Sequence, residues 1–414
     1  MTTIEVQAGT PLDAYVPLLG RAEIEEIRTL ARPLRGRTIQ MINSTSVGGG
    51  VAEILNRLVP LALELDLQIT WDVMAGGPDF FEVTKAFHNA LHGGAYLHRP
   101  EDFEIFARYT EQNRARLPLD ADFTVIHDPQ PAALVEGRAG NGKHWIWRCH
   151  IDLSHANASV WNYLEQFVTK YDAAIFSSPE FSRQLPLPQY LFYPAIDPLS
   201  DKNRDLPAEL VTEVLTRLEI DPGRPIVTQI SRFDRLKDPV GVIRAYRLVK
   251  RHADCQLVLA GGGAPDDPEG SAVLQEVRDE AGADPDIHIV ALPEHAPLEV
   301  NALQRGATVI VQKSLREGFG LTVAEGLWKK KPVVASAVGG IPIQVIHKHT
   351  GLLAHSIEGA AYQIRFLLSH PEIAAKLGEQ GHEHVKENFL ITQNLKQYLA
   401  LFLWFQGKES KPAG

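Results

Sequence analysis

Two successive series of short apolar runs, separated by helix-length amphipathic stretches, constrain this chain more than any other feature. TIQMIN (38–43), QITWDVM, FTVIH, HWIWRCH and AAIFSS form the first series, and PIVTQI, CQLVLA, IHIVAL, ATVIVQ and PVVASA the second. Runs of this kind alternating with helical patterns build βαβ units and parallel sheets. FYPAIDPLSDKNRDLP (192–207) interrupts the rhythm with prolines at 194, 198 and 207 and charges of both signs, and reads as an interdomain linker. After residue 355 the pattern turns helical through SIEGAAYQIRFLLSH, PEIAAKLGEQGHEHVKEN and ITQNLKQYLALFLWF. The expected fold is α/β, with two Rossmann-like, doubly wound domains facing each other; 414 residues suffice for two such cores.

Charge and cysteine content exclude several function classes. A net charge of −10 disfavours broad attraction to nucleic acid or to an anionic membrane, leaving room for a small anion held by local cations. Two cysteines, Cys149 and Cys255, make neither a disulfide framework nor a zinc cluster. MTTIEVQAGTPLD has no basic start or apolar core, and YLALFLWF is too short to span a bilayer, so a cytoplasmic location is expected.

Candidate ligand groups cluster at strand ends. Gly48, Gly49 and Gly50 follow a strand and open a helix, where amides can meet an anion. With Glu53 in place of the last glycine, the dinucleotide fingerprint is incomplete and weak, and a plain tight turn fits as well. SRFDRLKDP (231–239) follows PIVTQI. Arg232 and Lys237 there can hold a diphosphate, or else pair with neighbouring aspartates at the surface. His127 and His150 close adjacent strands, each near an aspartate, Asp128 or Asp152, whereas Trp145 and Trp147 belong to the core. The D-x-D pairs Asp120/Asp122 and Asp284/Asp286 precede strands and read as turns, so no metal is assigned. The hydrolase, zincin and Walker motifs are absent from the sequence.

REGFGLTVAE (316–325) combines these elements. Gly318 and Gly320 permit a turn, Leu321 and Thr322 offer first-turn amides to a phosphate, and Glu325 lies one turn into the helix, where it can accept from a ribose diol. Glu317 sits on the other side of the turn. A loop–helix junction with incidental acids is the alternative.

The E-x₇-E pair at 317–325 with E-G-F-G inside it, S-R-F-D-R-L-K-D upstream and the early glycine turn together resemble retaining GT-B glycosyltransferases of glycosyltransferase family 4. NSTSVGGGVAEIL, VIHDPQPAAL, WRCHIDLS and FYPAIDPLSDKN resemble the members that join glucose from a nucleoside-diphosphate glucose to free glucose, giving α,α-trehalose. The resemblance implies an acceptor-side domain at 1–197, a nucleotide-sugar domain at 198–388 and a helix at 389–414 crossing back to the first domain. It implies Arg232 and Lys237 at the diphosphate, doing the work of a metal, so that no cofactor is needed. Glu317 then meets the donor glucose with Gly318, Phe319 and Gly320, Leu321 and Thr322 lie near the phosphate, and Glu325 holds the ribose. His150 falls near the donor sugar, Gly48 to Gly50 near phosphate and acceptor, and His127 and Asp152 on the acceptor side. The implied partners are ADP-, UDP- or GDP-glucose, glucose and trehalose, with a homodimer as the assembly.

Retention in hydrolases uses two carboxylates, one a nucleophile. By position Glu317 is the candidate, but the resemblance gives it to sugar recognition, and front-face attack follows, with the departing phosphate taking the acceptor proton. Other expectations kept in view are a family 4 transferase with a different donor or acceptor, a sugar-nucleotide epimerase, a non-catalytic nucleotide-sugar sensor and a dehydrogenase.

Overall fold

The computed structural model describes residues 3–6, 9–46, 50–97, 99–138, 140, 142–262, 268–293 and 295–409. The chain divides into two compact units, Met1–Ala195 together with Ile391–Gly414, and Ile196–Leu390.

In the first unit, β1 (Thr38–Asn43), β2 (Gln68–Val73), β3 (Phe123–His127), β4 (His144–Cys149), β5 (Ala173–Phe176) and β6 (Gln189–Leu191) form a six-stranded sheet in the order β2-β1-β3-β4-β5-β6. Every neighbouring pair is parallel. β3 and β5 are buried along their whole length, which is why both read as continuous apolar runs. Trp145, Trp147 and Cys149 pack on one face of β4, in a core with Phe80, Phe87, Phe106 and Trp161. The sequence order reverses between β1 and β3. Ligands of open α/β sheets bind beyond the carboxyl ends of the strands at such a switch point.

The helix Ile391–Glu409 belongs to this unit and packs on the helices Arg21–Ala31 and Gly50–Glu64. Phe402 lies 4.8 Å from Phe123 between ring centroids, and Phe405 4.5 Å from His144. Lys396 reaches Glu23 at 2.9 Å and Glu26 at 2.7 Å. Among the described residues no helix is long and apolar enough to cross a membrane.

In the second unit, β7 (Ile226–Ile230), β8 (Gln256–Gly262), β9 (Ile287–Leu292), β10 (Val309–Gln312), β11 (Val333–Ser336) and β12 (Leu352–Ala354) form a second six-stranded sheet, ordered β12-β11-β10-β7-β8-β9. It too is parallel throughout. Its switch point lies between β7 and β10. The loops leaving those strands are SRFDRLKDP and the segment from Lys313 to Gly320.

The proline-rich segment is no slack connection from Ile196 onward. Asp197, Ser200 and Asn203 are buried. Asn301, on the helix Pro297–Gly306, donates to the carbonyls of Asp201 and Arg204 at 2.8 Å each. Proline and charge signal a departure from helix and strand; they do not say whether the irregular backbone is solvated or packed. The edge strands β6 and β12, three residues each, are too short to show a period and fell outside the sequence expectation.

Candidate active site

In the second unit, two loops are stitched together at the switch point. The Gln229 side chain at the end of β7 donates to the Lys237 carbonyl at 2.9 Å and accepts the Lys313 amide at 2.9 Å. The Leu315 amide donates to the Leu236 carbonyl at 2.7 Å. Lys313 Nζ also donates to the Asp238 carboxylate, which caps the helix Pro239–Lys250 through the Gly241 amide at 3.0 Å. The result is a fixed platform for Lys237. Its ammonium meets Glu317 Oε2 at 2.6 Å, and Ser314 Oγ donates to the same oxygen at 3.1 Å. Arg232 behaves differently. Its side chain is 72% exposed and touches Asp234 at only 3.4 Å, a contact too long and too wet to hold it.

Glu317 is positioned from below by a segment that sequence reasoning passed over. Gly339 has φ +54°, and a Cβ there would stand 1.6 Å from the Glu317 carbonyl oxygen. The Gly340 amide donates to the Gly318 carbonyl at 3.0 Å. The paired glycines in AVGGIP are the signal that could have found this support. Gly320, at φ +84°, turns the chain into the helix Leu321–Trp328, so the amides of Leu321 and Thr322 stand in its first turn. Thr322 Oγ1 is occupied with Gln312 at 3.1 Å. The Phe319 ring is 5% exposed and packs edge-on against Phe389 at 5.4 Å, so its side chain anchors the loop and faces the core.

Glu325 sits on the inner face of that helix and is fully buried. Its Oε1 meets Lys202 Nζ at 2.7 Å, and Oε2 accepts from Gln304 Nε2 at 3.0 Å. Burial opposes its charge, but Lys202 and Lys329 outweigh that and hold the carboxyl below its ordinary range. A ribose reaches this carboxylate only if a covering group moves. Lys202 was not among the expected site residues, although it lies in the SDKN string.

In the first unit, Gly48 and Gly49 lie outside the described residues, and Gly50 is the exposed first residue of the helix Gly50–Glu64. His127 and His150 do converge, with His127 Nδ1 3.1 Å from His150 Nε2 and the rings stacked. One ring nitrogen of the pair must donate and the other accept. Burial, then the Arg148 charge, pushes His127 down to about 3. His150 is also well below its ordinary value, by burial, Arg148 and His127 in that order. His127 Nε2 is buried without a hydrogen-bond partner among the described residues.

Asp128 joins this pair and was missed as a site residue. It adopts φ +68°, accepts the His150 amide at 2.8 Å through Oδ1, and is pushed by burial up to about 6. Asp152 is engaged elsewhere, accepting the amide and hydroxyl of Ser154 at 2.9 and 2.5 Å, and makes no described contact with the histidines. The D-x-D carboxylates sit at the opposite, amino-terminal ends of the strands. Asp122 accepts the Thr38 amide at 2.9 Å and pairs with Lys143, while Asp286 pairs with Arg224 and Lys250.

Comparison with known proteins identifies the family. The family described as "Trehalose synthase, N-terminal domain" matches residues 41–183, and "Glycosyl transferases group 1" matches residues 212–384. A trehalose synthase of Rubrobacter xylanophilus is 45% identical, covering 94% of this chain and 95% of its own. Another, from Pyrococcus horikoshii, is 42% identical with coverage of 94% and 95%. Among solved structures, an α,α-trehalose-phosphate synthase from Burkholderia xenovorans superposes with a TM-score of 0.71 at 16% identity, over 90% of this chain and 100% of that one, which establishes the GT-B fold. Identity of this extent along nearly the whole length, on that fold, means that the chain belongs to the trehalose synthase family of glycosyltransferases.

Proposed function

We propose that the protein transfers glucose, with retention of configuration, from a nucleoside-diphosphate glucose to free glucose, forming α,α-trehalose. The observation that carries this reading is the cationic platform at the β7/β10 switch point, where Lys237 is held 2.6 Å from Glu317 in a chain of this family. Arg232, Lys237 and the amides of Leu321 and Thr322 would take the charge that develops on the departing diphosphate. This makes a divalent metal dispensable in the proposal. Exposed Arg232 is free to swing onto a phosphate, and its planar fork suits that ligand.

Glu317 would hold the transferred glucose once Lys237 turns to the phosphate. We assign Glu325 to the ribose and, within the first unit, Gly48 to Gly50, His127, Asp128 and His150 to sugar recognition. The acceptor hydroxyl would attack on the face the phosphate leaves, with a phosphate oxygen taking its proton, so that no carboxylate nucleophile is required.

The test is incubation with glucose and each of ADP-, UDP- and GDP-glucose, with and without EDTA, followed by product identification by NMR. The α,α-linked disaccharide formed in EDTA supports the proposal. A different disaccharide would replace the acceptor or donor assignment, activity restored only by Mg²⁺ would overturn the metal-free step, and release of nucleotide independent of glucose would overturn transfer.

A further inference from the structure

The Glu325 carboxylate is fully buried, and the polar and charged groups around it differ in their access to solvent. Gln304 and Lys329 are 1% and 6% exposed. Lys202 keeps 22% of its side chain in solvent while its ammonium sits 2.7 Å from Oε1. The backbone under Lys202 is held fast. Asn301 binds the carbonyls of Asp201 and Arg204, Arg305 Nη2 binds those of Asn203 and Arg204 at 3.1 and 3.0 Å, and the Asn203 side chain accepts from Lys329 at 2.8 Å. A long rotatable side chain on a pinned backbone therefore forms the solvent-side cover of a buried carboxylate.

We propose that Lys202 is the specificity-determining latch of the donor's ribose subsite: its ammonium stands on Glu325 in place of the ribose hydroxyls and gives way when a nucleoside arrives. This rests on the assignment of Glu325 to the ribose. A buried carboxylate stripped of its cation must find other donors, and the two hydroxyls of a ribose supply them. A 2′-deoxyribose supplies fewer, so Lys202 keeps its place and makes up the loss. The latch thus blunts discrimination between ribo- and deoxyribonucleotides by lowering affinity for the ribonucleotide, which alone must displace an internal ligand.

The experiment is isothermal titration calorimetry of ADP, GDP and UDP and their 2′-deoxy counterparts on the full chain, comparing wild type with Lys202→Met, Lys202→Gln, Lys202→Arg and Glu325→Gln. For the nucleotide that binds the wild type, Lys202→Met should bind the ribonucleotide about tenfold more tightly and show a ribo/deoxy ratio about tenfold larger. Those shifts are about 1.4 kcal/mol each. Lys202→Arg should stay near wild type. Lys202→Gln, which keeps a neutral donor, serves if the methionine variant does not fold. Weaker binding of both nucleotides with an unchanged ratio would overturn the latch and leave the ribose assignment standing. A ratio near one in every variant, with Glu325→Gln binding like wild type, would overturn the ribose assignment itself.

Discussion

At the scale of single residues, charge placement decides the chemistry. Lys237 is oriented by a hydrogen-bonded platform, and Arg232 is not. Lys237→Ala and Arg232→Ala should each lower kcat/KM by about 10²–10³, the usual cost of removing one donor from a developing oxyanion. Arg232→Ala should leave the melting temperature nearly unchanged, because an exposed side chain with one long ionic contact contributes little to stability. Steady-state kinetics beside thermal melts would check this, and near-wild-type turnover in either variant would remove that residue from the proposed leaving-group site.

His127 makes a separate prediction about pH. With its folded pKa at about 3, below the ordinary 6.5, it stays neutral in the fold while the unfolded chain takes up a proton. Its contribution is therefore present above pH 6.5 and is lost as pH falls toward 3, costing about 2 kcal/mol at pH 5. Asp128, raised to about 6 by burial, works in the opposite sense, since its stabilising protonated form is lost as pH rises through 6. His127→Asn should flatten the acid side of the stability profile between pH 6.5 and 4 in urea titrations; an unchanged acid slope would mean that His127 does not remain neutral. The residue types at these positions were legible in the sequence, but their partners were not. Nothing local in the chain ties Glu317 to Lys237 or Glu325 to Lys202, because each pair is made by strand order and by a packed irregular segment.

At the scale of elements, the strands that read most plainly were those buried on both faces, where apolar character runs unbroken. β1 and β3 lie at the expected residues, as does β9, an only partly buried edge strand, and the helix Pro371–Asn388 coincides with its periodic stretch. The order of strands within each sheet did not follow from any run, since parallel neighbours are chosen by crossovers and not by local pattern. Close approaches between loops were equally hidden. Gly339 shows how much depends on one of them. Gly339→Ala would place a Cβ against the Glu317 carbonyl and hold a non-glycine residue in the left-handed region, at about 1–2 kcal/mol for the backbone alone. The loop from Glu317 to Phe319 must then shift, and Glu317 with it. The expected result is a lower melting temperature together with a loss of kcat/KM. Gly407→Ala is the control: nothing lies within 4 Å of its added Cβ, and alanine favours the helix by up to about 1 kcal/mol. Equal behaviour of the two variants would show that the glycine at 339 is not required by the contact.

At the scale of the whole molecule, the first unit is built from two separate stretches of chain, and its last helix is supplied only after the second unit has been traversed. Leu395, Tyr398, Leu399, Leu401, Phe402 and Phe405 are buried within it. At about 1.5–3 kcal/mol per large apolar side chain, this helix contributes on the order of 10 kcal/mol of burial, an upper figure because the unfolded chain also hides some surface. That is comparable to the entire net stability of a domain, about 5–15 kcal/mol. A chain ending at Leu390 should therefore lose the first unit and keep the second, whose core of Val227, Tyr246, Leu257, Val309 and Val334 does not draw on the helix. Hydrogen exchange resolves the two. Amides of β1 to β5 should exchange freely in the truncated chain, while those of β7, β8, β10 and β11 keep their protection, because their partners all lie in the second sheet. Loss of protection in both sheets would mean that the second unit cannot stand without the first, and retained protection in β1 to β5 would mean that the returning helix is an accessory to the first unit rather than part of its core.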